Sequence, residues 1–193
     1  MLEVFRENLR QEPQDVQARV RIQHGDMRDF RLDQRYQLVT IPFRPFQHLI
    51  SVDDQLACLN AIRRHLLPGG TLILDLFFPS LEALCKDNIG QELPEGPLFS
   101  TPDGRQVQRY AKIVGRDRFQ QVNRVELIYQ VTHPDGRSER VLHAFSMCYL
   151  FRYEVEHLLA RAGFRIEEIF SDYDRSPFGS KYPGEMIVVA HID

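Results

Sequence analysis

Between Ile41 and Leu49 the chain reads Pro42-Phe43-Arg44-Pro45-Phe46-Gln47-His48, placing a guanidinium, an imidazole, an amide and two aromatic rings in one short loop. The loop follows an apolar strand pattern, Tyr36–Ile41. Open α/β sheets bind ligands beyond the carboxyl ends of their strands, so Phe43, Arg44, Phe46, Gln47 and His48 are the first candidates for a site. His48 is a candidate general base near neutral pH; a solvated or capping histidine is the alternative. Cys58, Cys85 and Cys148 are far apart and lie in apolar patterns, which indicates neither a disulfide framework nor a metal site and fits a reducing cytoplasm.

The elements that position this loop follow from periodicity. Leu2, Phe5 and Leu9 have helical spacing, and Glu12-Pro13 ends that helix. Ala18 to Gln23 alternate as a short strand, broken by Gly25-Asp26. Ser51 opens a helix with a buried stripe of Leu56, Leu59, Ile62 and Leu66, and Pro68-Gly69-Gly70 then turns the chain into the apolar run Thr71 to Phe78. Strand, loop, helix, turn and strand make a βαβ unit, so the two strands are expected to be parallel.

After a helix near Ser80 to Asp87 the period changes to two. Stretches at 105–114, 118–132 and 138–151 read as an antiparallel meander, with turns at Gly115 to Asp117 and at Pro134-Asp135-Gly136. A helix over Tyr153 to Ala162, stopped by Gly163, and strands at Ile166–Phe170 and Met186–Ala190 complete the chain. The expected organisation is one domain over 1–193, with an α/β core from 1–90 and 153–193 and a β insertion at 97–151.

At 193 residues the chain can bury roughly 70% of its unfolded surface. A formal charge of -3 gives no overall basic field, so nucleic acid is an unlikely partner. Arg105, Arg109, Arg116, Arg118 and Arg124 nevertheless cluster in the meander, either as a local anion-binding patch or as solvated strand edges. No apolar run is long enough to cross a bilayer, and the first residues carry mixed charge, so neither a membrane nor secretion is expected.

His24-Gly25-Asp26-Met27-Arg28-Asp29-Phe30, the Tyr36–Ile41 strand, the Leu66–Asp75 block, Arg161-Ala162-Gly163-Phe164 and Glu185 to Ala190 occur in an order that resembles the class I S-adenosylmethionine-dependent methyltransferases. The likeness is to the small-molecule branch with an antiparallel insertion. It implies a Rossmann-like sheet, S-adenosylmethionine as cofactor and a small-molecule methyl acceptor. By the same resemblance Asp26 accepts from the adenine amino group and the Met27 backbone meets the ring. Thr40, Pro42 and Phe43 then border the methionine end of the cofactor. Arg44, Phe46, Gln47, Tyr149, Arg152 and Tyr153 become substrate candidates, with Asp172 and Tyr173 on the same rim.

The resemblance also has gaps. No G-x-G spacing occurs, and no acidic residue stands where the family holds the ribose. Gln37 replaces a commonly acidic residue, and Phe78 a commonly polar one. The chain therefore reads as a methyltransferase fold lacking its first strand, first helix and second strand, which would leave strand edges open. Two functions follow as expectations: methyl transfer to a small molecule in a longer form, with little activity in these residues alone, or an inactive dimeric interaction module whose copies cover one another's edges.

Overall fold

The computed structural model describes residues 2–193. Helix α1 (Leu2–Arg10) forms where its spacing predicts, and α2 (Gln14–Arg19) follows from Pro13. The second helix overturns the strand expected at Ala18–Gln23: it takes up Ala18 and Arg19, and residues 20–26 join no described ladder. Val20 and Ile22 alternate as a strand would, but alternation without a neighbouring strand leaves backbone groups unpaired and cannot hold a strand.

Strand β1 (Tyr36–Ile41), a 3₁₀ turn (Pro45–His48), α3 (Val52–His65) and β2 (Leu66–Phe77) form the expected unit. Ser51 caps α3, its hydroxyl accepting from the Asp54 N–H at 3.1 Å. The two strands are parallel, and Pro68-Gly69-Gly70 bulges out of β2, because Tyr36 pairs with Leu66 while Leu38 pairs with Thr71. Gly69 has φ +68°, and a Cβ on Gly70 would lie 2.7 Å from the Leu67 carbonyl oxygen, so both positions require glycine.

Helix α4 (Leu81–Cys85) leads to the meander: β3 (Glu92–Pro94), β4 (Phe99–Ser100), β5 (Gln106–Asp117), β6 (Val122–Thr132) and β7 (Ser138–Cys148). The second sheet thus begins at Glu92, ahead of the expected boundary at 97, because Glu92–Pro94 pairs with β5. Its first long turn lies at residues 118–121 rather than at Gly115. One Asp117 carboxylate oxygen accepts the N–H groups of Phe119 and Gln120 at 3.0 and 2.9 Å and so fixes that turn, while Gly115 sits at a register shift against β6.

Helix α5 (Arg152–Arg161), β8 (Arg165–Phe170) and β9 (Glu185–His191) return to the first sheet, whose order is β1-β2-β9-β8 with β9 antiparallel to both neighbours. One face of that sheet carries the core. Leu72, Leu74 and Leu76 of β2 and Met186, Val188 and Ala190 of β9 pack with Cys58, Leu59 and Ile62 of α3 and Val155, Leu158 and Leu159 of α5.

The other face is covered at the carboxyl end of β2, where Asp75 and Ile187 are buried, and more open towards its start, with Leu38 exposed and Ile73 and Val189 half-buried. Strand β1 pairs with β2 alone, so its outer edge is free of described ladder partners, and α1 buries none of its residues. No described helix is long and apolar enough to cross a membrane.

Burial also sets the chemistry of the thiols. Cys58 and Cys148 are buried and free, and burial pushes them up to about 12 and about 11, whereas Cys85 is exposed. A thiol reagent applied near pH 8 to the native protein should therefore label Cys85 alone and label all three cysteines in denaturant, read by mass spectrometry of the peptides. Native labelling of Cys58 would contradict this packing.

Candidate functional site

At the carboxyl end of β1 the chain enters two consecutive residues in the left-handed region, Phe43 at φ +62° and Arg44 at φ +65°. Neither is glycine, so the conformation costs energy that neighbouring groups must offset. Asp75, only 3% exposed near the carboxyl end of β2, does so: its Oδ2 accepts the Phe43 N–H at 2.8 Å. The same oxygen accepts the Tyr173 hydroxyl at 2.6 Å, while Oδ1 is buried with no protein partner.

Arg44 continues the network sideways, its guanidinium paired with the Glu185 carboxylate at the start of β9 and lying 5.5 Å from the Phe77 ring centroid. One carboxylate thus joins the β1 loop, the carboxyl end of β2 and the loop after β8. The cluster is partly buried and mixes both charges, while the Phe43 ring stands 82% exposed above it. That arrangement offers an apolar lid, a cation and a phenol at a strand end.

The remaining loop residues divide by role. Phe46 lies wholly in the core. Gln47 is buried with its amide fully used, its oxygen accepting the Phe77 N–H at 2.8 Å and its nitrogen donating to the Cys148 carbonyl at 2.9 Å. Both therefore scaffold the loop instead of lining an open surface, which corrects the expectation that they meet a substrate. His48 is exposed, and its Nδ1 donates to the Ser146 carbonyl at 3.1 Å, which leaves Nε2 as the free basic nitrogen of the neutral ring.

Asp26 is placed differently from the cofactor role that the resemblance implies. Both its oxygens are filled by Arg28, whose backbone N–H donates at 2.9 Å and whose guanidinium donates at 2.7 to 3.1 Å. These bonds hold the Asp26 carboxyl down at about 2. Arg28 also pairs with Asp54 in the first turn of α3, so the acidic loop is fastened to that helix. An adenine amino group would have to displace Arg28; this end does not fit the cofactor as it stands.

Met27 packs against the core instead, and Thr40, Pro42 and Phe43 are exposed along the end of β1. Tyr149 is buried against Phe151, Arg152 pairs with Glu156, and Tyr153 is exposed under the Arg152 guanidinium. Asp172 is tied to Lys181, whereas its neighbour Tyr173 reaches Asp75. Asp75 and Glu185 were not singled out from the sequence. The available signal was a lone carboxylate inside the apolar run of β2, which a buried strand tolerates only where it has donors.

Comparison with known proteins adds a likeness in sequence and in fold. Residues 1–70 match the family described as "Methyltransferase domain". The fold aligns with the CcbJ methyltransferase from Streptomyces caelestis at TM-score 0.75 and 21% identity, covering 100% of this chain and 75% of that one. It aligns with an S-adenosylmethionine-dependent methyltransferase from Clostridium acetobutylicum at TM-score 0.72 and 14% identity, covering 93% and 72%. The chain has the fold of class I S-adenosylmethionine-dependent methyltransferases.

Among curated relatives, a dTDP-3-amino-3,6-dideoxy-alpha-D-glucopyranose N,N-dimethyltransferase from Streptomyces fradiae is 26% identical over 147 residues. A dTDP-3-amino-3,4,6-trideoxy-alpha-D-glucopyranose N,N-dimethyltransferase from Streptomyces venezuelae is 28% identical over 148 residues. Each match takes in 76% of this chain, and the chain spans 53% and 57% of the lengths of these two relatives. In this methyltransferase fold the Asp75 cluster lies at the carboxyl end of the parallel pair.

The cluster has a pH signature. The hydrogen bond to Asp75 is the main reason that the Tyr173 phenol is pushed up to about 12, with burial and the negative charges of Asp75 and Glu185 adding to it. Folding thus favours the neutral phenol, so this contribution to stability is complete below pH 10 and is lost as pH rises towards 12. Ultraviolet difference titration of wild type against Tyr173→Phe should isolate this late-titrating phenol, and Asp75→Asn should return it towards the ordinary tyrosine range. An unchanged titration in Asp75→Asn would overturn the assignment.

Proposed function

We propose that the chain serves S-adenosylmethionine-dependent N-methyl transfer to the amino group of a small, sugar-like molecule. The observation that carries this reading is the Asp75-anchored Phe43–Arg44 loop at the ligand-binding end of β1, in a methyltransferase fold whose curated relatives are named as amino-sugar N,N-dimethyltransferases. The cofactor supplies an activated methyl group, so the protein's part is mainly alignment. His48 Nε2 is the group suited to take the proton that the amine releases. Thr40, Pro42 and Phe43 are the exposed cofactor-side candidates, Arg44 and Tyr173 the acceptor-side ones, and the meander forms the wall beyond His48. A reducing cytoplasm suits three free thiols.

The 193 residues hold no G-x-G spacing, so cofactor affinity in this chain alone is expected to be weak. Mass spectrometry of a dTDP-3-amino sugar incubated with S-adenosylmethionine tests the proposal. The chain is assayed alone and joined behind a glycine-loop segment of the family. Methylated product from the joined protein, lowered on the order of 100-fold by His48→Gln, is expected. No product from either form would refute the reading.

A second copy is the proposed partner, on the strength of the free β1 edge and the exposed apolar stripe of α1. Light scattering should give twice the chain mass, and Phe5→Glu should halve it. A monomer at micromolar concentration would exclude this partner.

A further inference from the structure

The meander arginines frame a groove that the methyl-transfer reading leaves unused. A cavity of about 940 Å³ opens between the β5–β6 turn and the start of α3, lined by Arg116, Arg118, Phe119, Arg124, Ser51 and Ser146 among others. A neighbouring cavity of about 510 Å³ shares Ile50, Ser51, Phe119 and Gln120 with it and continues to His157 and Arg161. Together they form a groove long enough for a ligand of several linked parts.

The charges in this groove are not equivalent. Arg116 belongs to the fold, donating to the Ala83 and Lys86 carbonyls and to the Asn123 side chain, each at 3.2 Å. The one acid lining the larger cavity, Asp117, has an oxygen engaged by the backbone of its own turn. Arg105 and Arg109 pair with Asp103 and Glu95, but Arg118 and Arg124 have no carboxylate or carbonyl partner among the described residues.

Arg124 is also positioned. A Cβ on Gly115 would meet its Nη2 at 2.5 Å and its Nε at 2.7 Å, so the glycine at the register shift is what lets this guanidinium lie across the strand pair. Phe119, at the turn between the two arginines in sequence, is 97% exposed and contributes nothing to the core.

We propose that this groove binds a diphosphate-bearing ligand, with Arg118 and Arg124 on the phosphate oxygens and Phe119 against a flat base. Two unpaired guanidiniums present planar donor forks that match phosphate oxygens, and the pair matches the charge of two linked phosphates. The cavity is far larger than a single inorganic anion fills, and an exposed phenyl ring supplies a stacking face. Ser146 lines the groove and accepts from His48, so the far end of such a ligand borders the acceptor loop. Binding itself does not depend on methyl transfer; that the ligand is the methyl acceptor rests on the reading above.

Calorimetry with inorganic pyrophosphate and with dTDP, without cofactor, tests this in the full chain. Wild type should bind both, dTDP more tightly. Arg118→Gln with Arg124→Gln should weaken both on the order of 100-fold, and Phe119→Ala should weaken dTDP alone on the order of 10-fold. Arg137→Gln, in the exposed β6–β7 turn, should change neither, and unaltered melting curves show that the variants fold. Absence of binding at millimolar probe, or equal weakening by Arg137→Gln, would overturn the site; equal affinity for both probes would overturn the contact with Phe119. Because the readout is binding, a failure of methyl transfer leaves these outcomes unchanged.

Discussion

The Asp75 carboxylate is the constraint around which the ligand-binding end of this protein is arranged. It is a charge-bearing group in an apolar strand, and burying it is tolerable only because donors converge on it. Those donors come from distant parts of the chain: the Phe43 N–H after β1 and the Tyr173 hydroxyl after β8. In satisfying the carboxylate they fix both loops. The left-handed pair Phe43 and Arg44 can therefore persist in a short loop without glycine, and Arg44 is delivered to Glu185 on the adjacent strand.

A second set of bonds joins the two sheets. Gln47 accepts from Phe77 on β2 and donates to Cys148 at the end of β7, while His48 donates to Ser146. Gln55 of α3 donates to the Leu49 carbonyl at 2.8 Å and lies 3.5 Å from the Cys148 sulfur. The meander is thus held to the same loop that Asp75 anchors. Any rearrangement of that loop is felt both by the central strand and by the groove that the meander lines.

The fold was legible where local signals agreed. The Pro-Gly-Gly block, the Ser51 cap, the period-two stretches and Gly163 each point to an element that the structure contains, and their order points to the methyltransferase fold. The strand expected at Ala18–Gln23 did not form, because strand patterning expresses a preference that only a neighbouring strand can realise. Gly115 lies within a strand and not at a turn for a related reason. A glycine in a strand pattern marks either a bend or a close approach, and the approaching group, Arg124, lies outside its local sequence.

The loop from Pro42 to His48 was identified from residue types, yet those types did not reveal which side chains face outward. Phe46 and Gln47 turn inward because the 3₁₀ turn points them at the core and at β7, whereas His48 turns outward. The sequence by itself determined the βαβ unit, the meander and the parallel pair, since these follow from periodicity, turn chemistry and caps within short windows. Only the tertiary structure decided that Asp75, Tyr173 and Glu185 belong with Phe43 and Arg44. Those choices depend on which unpaired donors reach a buried acceptor, and that is settled by packing between residues up to 141 positions apart.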